Sequence, residues 1–141
     1  LEQLIYEFAP MLREKGLHCG LNAPDTLVLR CDADKIQRVF ENLLRNAVVY
    51  SFNDTTINIA AEPHEKDVTI VFQNRGDTIP KEKLSQIFEQ FYRLDVARST
   101  SCGSAGLGLA IAKQIIDLHK GSISAESADE IIRFTVTLPL S

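Results

Sequence analysis

The chain has 141 residues, 45% of them hydrophobic and 24% charged, and a formal net charge of −4. That length suits one domain with one core, and the composition is ordinary for a globular domain. The acidic balance argues against a general nucleic-acid binder, which carries a basic face, and no apolar run approaches the roughly 18 residues of a membrane span.

Residues 1–15 are expected to form one helix, because Leu1, Leu4, Ile5, Phe8, Met11 and Leu12 recur at helical spacing despite Pro10, and Gly16 ends it. Leu17 to Leu21 and Leu27 to Cys31 read as short strands around an Asn22-Ala23-Pro24-Asp25 turn. Asp32 caps a long helix reaching Tyr50, with an apolar face of Ile36, Val39, Phe40, Leu43, Leu44 and Ala47. After a turn at Asn53-Asp54, Thr56 to Ala61 and Val68 to Phe72 alternate as half-buried strands joined by the polar EPHEKD. Gly76 to Pro80 is a loop, and Lys81 to Phe91 a short helix with Leu84, Ile87, Phe88 and Phe91 apolar. Residues 94–105 read as irregular. A helix from Gly106 to His119 should bury Leu107, Ile111, Ile115 and Leu118 and close at Gly121. Ser122 to Ala125 and Ile131 to Leu138 are the last two strands.

Strands joined by short turns are expected to pair antiparallel, with the intervening helices covering one face of the sheet. The fold class is therefore a two-layer α/β sandwich with a mixed sheet, not a doubly wound one. Cys19, Cys31 and Cys102 form no C-x-x-C pair and read as free thiols. His18, His64 and His119 read as structural or solvated, with His119 a cation suited to a helix end.

Four stretches carry chemistry. The first is STSCGSAGLGLA, glycine-rich and placed directly before a helix. Helix N-termini offer free N–H groups to phosphate. Gly103 and Gly108 have Walker A spacing, but Leu109 and Ala110 stand where that motif needs Lys and Ser or Thr. Phosphate binding and an ordinary loop before a core helix both remain open. The second is the stripe Arg38, Asn42, Asn46 and Tyr50, at steps of four on one helix. Asn is a poor interior helix residue. The pair reads either as a partly solvated stripe or as amide oxygens for Mg²⁺. Beside it, Glu41 and Arg45 read as a surface ion pair. The third is QNRGDTIP, where the Asn74 amide could read a base edge and Gly76 allow close approach, or the whole could be a simple turn. Ile79 there packs over a flat ring or begins the core of the next helix. The fourth is FEQFYRLDVAR, whose Arg93 and Arg98 grip phosphate or face solvent.

Together, ENLLRNAVVYS, NRGDTIP, FEQFYR and GSAGLGLA resemble, in order and spacing, the N box, first glycine box, F box and second glycine box of sensor histidine kinase ATP-binding domains. These share the GHKL, or Bergerat, fold with Hsp90, the MutL repair proteins and type II topoisomerases. Within that family, FYRLDVARSTSCGSAGLGLAIAK is most similar to vancomycin-resistance sensor kinases of the VanS type. The resemblance implies that Asn42 and Asn46 hold Mg²⁺ and the phosphates of ATP, that Tyr50 lies against adenine, and that Asn74 reads its amine with Gly76 giving room. It implies that Arg93 meets the outer phosphates, with Arg98 in support. Gly106, Leu107 and Gly108 would close on the triphosphate under a lid of residues 94–105.

Three positions depart from the motifs. Asn74 replaces an Asp, Thr78 replaces a glycine and is expected to crowd the nucleotide, and Val49 stands where a basic residue is common. No histidine here matches a phospho-acceptor, so the resemblance places the acceptor, on the kinase's own dimerisation domain, outside this chain. Beginning on Leu1, the chain is expected to be part of a longer, homodimeric, membrane-anchored protein that passes phosphate to a response regulator. The alternatives are a regulatory nucleotide-binding module without phosphoryl transfer and an ATPase of the Hsp90 or MutL branch. The latter carries a Glu base where this chain has Asn42.

Overall fold

The computed structural model describes residues 2–24, 32–89 and 108–140. The expected strand Leu27 to Cys31 and the expectations for Phe91, Arg93, Arg98, Cys102, Gly106, Leu107 and the 94–105 stretch lie outside the described residues.

The expected N-terminal helix is two: α1 (Glu2–Glu7) and α2 (Ala9–Glu14). Pro10 has no N–H to give Tyr6, and its ring crowds that carbonyl, so the helix breaks at Phe8. The bonds Phe8 N–H to Leu4 O and Leu12 N–H to Phe8 O, both 3.0 Å, keep Leu4, Phe8 and Leu12 in one buried line across the break. Gly16 closes α2 at φ 67°, with its N–H on Arg13 O at 3.1 Å and Leu17 N–H on Leu12 O at 2.9 Å. These are the two bonds of a Schellman cap.

Strand β1 (His18–Asn22) leads toward α3 (Ala33–Tyr50), then β2 (Thr56–Pro63) and β3 (Asp67–Arg75). The short α4 (Lys81–Leu84), α5 (Gly108–Leu118), β4 (Ser122–Ala128) and β5 (Ile131–Pro139) complete the described elements. The sheet order is β1-β2-β3-β5-β4. β1 pairs parallel with β2, and the other neighbours are antiparallel. The strands joined by short turns pair antiparallel as expected, and the parallel pair β1–β2 is the one connected through α3 as a crossover. The class, a mixed-sheet α/β sandwich, is as expected.

One sheet face is apolar and covered. Its rows are Ile57, Ile59 and Ala61; Val68, Ile70 and Phe72; and Ile132, Phe134, Val136 and Leu138, all buried. The opposite face is polar, with the Arg133 guanidinium donating to Gln73 Oε1 at 2.7 and 3.0 Å. α3 buries Ile36, Val39, Leu43, Leu44, Ala47 and Val48, while Phe40 tilts against Phe72 at 5.9 Å. Asp32 caps it as expected, Oδ1 accepting from Lys35 N–H at 3.2 Å.

Three anchors fix α3. At its end the Lys15 ammonium donates to the carbonyls of Val48 (2.7 Å), Val49 (3.1 Å) and Ser51 (2.8 Å). A cation spending its N–H donors on C-terminal carbonyls also opposes the helix dipole. In its middle, Asn42 Nδ2 donates to Gly108 O at 3.0 Å, joining it to the first residue of α5. At its start, Asp32 N–H donates to His119 Nε2 at 3.1 Å, and His119 Nδ1 donates to Ile115 O at 2.8 Å. A ring accepting at Nε2 is the neutral Nδ1–H tautomer. His119 is thus a structural pin between α5 and α3.

Other local expectations change. Glu41 Oε1 accepts from Gln37 rather than pairing with Arg45, whose guanidinium lies 5.7 Å over the Phe8 ring. α4 stops at Leu84, where the Ser85 hydroxyl donates to the Glu82 carbonyl at 2.8 Å and the chain tightens into i to i−3 turns. Even so, Ile87 is buried, and Phe88 meets Phe134 edge-on at 6.1 Å. α5 buries Ala110, Ala112, Ile115 and Ile116, while Leu118 is 72% exposed. Its sequence is apolar nearly all round, so contact with α3 and β4 selects the face, not spacing.

α5 ends in the same Schellman pattern as α2, shifted by one residue from expectation. Lys120 is the left-handed residue, at φ 60°, with bonds Lys120 N–H to Asp117 O and Gly121 N–H to Ile116 O, both 3.0 Å. Gly121 is needed for another reason: a Cβ there would fall on the Thr137 carbonyl oxygen of β5. Two substitutions one residue apart should therefore act in opposite directions. Lys120→Gly should raise the thermal midpoint by relieving about 1 kcal/mol of left-handed strain, and Gly121→Ala should cost about 1–3 kcal/mol through overpacking. Calorimetric unfolding of both checks the pair.

Candidate nucleotide site

The inward row of β3 runs Val68, Ile70, Phe72, Asn74. The fourth member is an amide where the pattern calls for a hydrocarbon. Asn74 is only 2% exposed, and its Nδ2 has no hydrogen-bond partner. Among the described residues it is the one buried side-chain polar atom left in that state. An unmade bond of this kind costs about 1–3 kcal/mol, so the group points to an absent acceptor.

Gly76, two residues on, brings the loop against the end of α3. A Cβ there would fall on the Tyr50 carbonyl oxygen, and the next neighbour is Ile132 Cδ1 at 3.3 Å. At Gly76 the close approach is therefore chain against chain. Ile79 is buried in the core cluster, and its N–H donates to Ser127 Oγ at 2.8 Å.

α3 links these to α5. Asn42, Asn46 and Tyr50 are half-buried, and Arg38, first in the stripe, is exposed. Four residues of helix rise about 6 Å, so the stripe forms a ladder with Gly108 at Asn42 and Gly76 at Tyr50. The structure thus brings Asn42 against Gly108 and Tyr50 against Gly76, with Asn46 between them on the same stripe and Asn74 two residues before Gly76, while Ile79 packs into the core cluster. Arg93, Arg98, Gly106 and Leu107 lie outside the described residues.

The donor set fits a nucleotide and a hard cation. Asn42 spends Nδ2 on Gly108, which leaves its oxygen as an acceptor. No group of three or more His, Cys, Asp or Glu among the described residues could hold a metal. Mg²⁺ needs only one or two protein oxygens when phosphates and waters complete its shell. A ring nitrogen is an acceptor of the kind Asn74 Nδ2 lacks.

Sequence reasoning missed three groups here: Lys15, Ser127 and the Glu130 backbone. Ser127 had a signal, since strand alternation from Ile123 turns it inward. Lys15 had none, because its carbonyls lie 33 to 36 residues away.

The model of the family described as histidine kinase-, DNA gyrase B-, and HSP90-like ATPase matches residues 31–141. The chain belongs to that family. It is 48% identical over 140 residues to the sensor protein VanSC of Enterococcus gallinarum, covering 99% of this chain and 38% of that protein. It is 50% identical over 139 residues to the sensor protein VanS of Enterococcus faecium, covering 99% and 36%. The chain thus spans well under half the length of the curated relatives it matches. Among solved structures, the catalytic domain of histidine kinase ThkA superposes with a TM-score of 0.87 at 26% identity, covering 99% of this chain and 90% of that one. The same kinase in complex with the response regulator protein TrrA superposes at 0.79 and 26% identity, covering 100% of this chain and 40% of that one. The family is the ATPase family implied by the four boxes. Among the described residues, no helix is long and apolar enough to cross a membrane.

Cys19 lies on β1, and burial pushes its thiol from 9.0 up to about 11. The thiolate is the nucleophile, so alkylation at Cys19, followed by peptide mass spectrometry, should be very slow at pH 8 and rise about tenfold per pH unit toward pH 10. Asn74 should show opposed effects on folding and binding. Asn74→Leu removes the unpaired donor at similar volume and should stabilise the fold by about 1 kcal/mol, while weakening binding of an ATP analogue at least about tenfold. Denaturant unfolding and calorimetry on the same sample read both.

Proposed function

We propose that this chain is the ATP-binding catalytic domain of a sensor histidine kinase. The observation that carries the reading is the buried Asn74 Nδ2, which has no hydrogen-bond partner, beside the Asn42–Asn46–Tyr50 ladder. Asn74 donates to an adenine ring nitrogen, and Tyr50 lies against the base. Asn42 and Asn46 supply amide oxygens to Mg²⁺ and order the phosphates. Arg93, Arg98 and the 106–108 glycines meet the triphosphate. Bound Mg²⁺ supplies charge neutralisation between the phosphates.

The reaction is phosphoryl transfer. A histidine ring nitrogen on the protein's own dimerisation domain forms a P–N bond with the γ-phosphorus. The bridging P–O bond to the β-phosphate breaks, ADP leaves, and the ring proton passes to a base on the acceptor side. This chain's share is positioning and charge stabilisation, the main work of such transfers. The phosphate then moves to an aspartate of a response regulator, a partner supported by the ThkA–TrrA likeness. The parent protein in this reading is dimeric, membrane-anchored and engaged in a vancomycin-resistance response, and the similarity to the sensor proteins VanS and VanSC supports its role as a sensor.

Calorimetric titration with a non-hydrolysable ATP analogue, with and without Mg²⁺, tests the reading. Binding should require Mg²⁺ for full affinity, and Asn46→Ala should lose about tenfold or more. A folded chain that ignores the nucleotide would exclude it.

A further inference from the structure

Three hydrogen bonds tie the loop after β3 to the hairpin between β4 and β5. Gly76 N–H donates to Glu130 O at 3.0 Å, Glu130 N–H to Thr78 Oγ1 at 2.9 Å, and Ile79 N–H to Ser127 Oγ at 2.8 Å. The first continues the β3–β5 ladder one step past the Arg75–Ile131 pair. The other two depend on side-chain hydroxyls. They sit on either side of the loop's turn inward, since Thr78 is exposed and Ile79 is buried.

The hairpin tip is itself constrained. Asp129 and Glu130 have φ of 53° and 61°. A two-residue turn of this hand favours Asn-Gly, because residues with a Cβ resist it. Such a conformation persists where its surroundings over-determine it. Here the Glu130 N–H and C=O are both held by the 76–78 loop. Loop and tip therefore hold each other. Thr78 could satisfy its hydroxyl with water, so burial does not demand its bond to Glu130. What the bond does is fix the backbone that follows Asn74.

We infer that Thr78 is a positioning residue for base recognition. Its hydroxyl, with Ser127 as second clamp, holds the 76–79 loop so that the unpaired Asn74 amide meets the base in one register. The inference rests on the nucleotide reading above and deepens it. Its sign is opposite to the crowding expected at this position. A glycine at 78 would add room, but it would free the loop from the hairpin and add backbone freedom that binding must remove.

The test titrates the chain and its Thr78→Gly, Thr78→Val and Thr78→Ser variants with non-hydrolysable ATP and GTP analogues, beside thermal unfolding. Thr78→Gly and Thr78→Val should bind the ATP analogue about three- to tenfold more weakly, the worth of one hydrogen bond. The preference for adenine over guanine should fall with it. Thr78→Ser keeps the hydroxyl and should stay within about twofold of the parent. Unfolding midpoints should move by no more than about 3 °C, since the residue is exposed. Thr78→Gly binding as tightly as the parent or more tightly, or Thr78→Ser failing to restore affinity, would overturn the inference alone. A folded parent chain that binds neither analogue overturns the nucleotide reading and the inference together.

Discussion

An amide donor held dry at the end of an apolar strand row organises this domain. Val68, Ile70 and Phe72 satisfy the sheet's inner face, and Asn74 then breaks the row with a group that nothing in the described protein answers. A fold that keeps such a group sacrifices stability at that point, and the neighbouring structure is built to hold its position. The Tyr50 carbonyl occupies the space Gly76 leaves. The loop beyond is tied to the β4–β5 hairpin, and the end of α3 is nailed by an ammonium on three carbonyls. Under the nucleotide reading, the missing partner is adenine, and the cost of the unpaired donor is recovered on binding.

α3 acts as the ruler of the site. Its start is tied to the end of α5 through His119, its middle to the start of α5 through Asn42, and its end to the chain after α2 through Lys15. α3 and α5 therefore lie over the sheet with both ends of α5 fixed. Phosphate groups reaching the start of α5 and a base reaching Asn74 would meet side chains spaced by one rigid helix. Preorganisation of that kind limits the entropy that binding must remove.

Much of this was legible in the residues, for identifiable reasons. α3 was readable from cap to end because Asp32 and a strict apolar period agree. The strands of both hairpins were readable because their residues alternate between the covered and the open face of the sheet. The break at Phe8 was not, because the apolar period continues across it while Pro10 removes one backbone bond. The buried face of α5 was hidden by a sequence apolar nearly all round. Gly121 drew the helix end to the wrong residue, since its real constraint is a carbonyl of β5. Parallel pairing of β1 with β2, the Lys15 anchor and the hairpin clamp depend on contacts between distant segments, which local pattern does not encode. Of the candidate site, the residue types were legible, but the Asn74 vacancy that gives them meaning appears only once the strand is packed.

The most direct measurement is the proton resonance pair of the Asn74 side-chain amide, observed by NMR in the 141-residue chain with Mg²⁺ present. On adding a non-hydrolysable ATP analogue, one Nδ2 proton should shift downfield as it gains an acceptor, while inorganic triphosphate alone should leave it in place. An Asn74 amide that keeps its free-state resonance in a saturated ATP-analogue complex would contradict the central claim, because the base would then be read elsewhere.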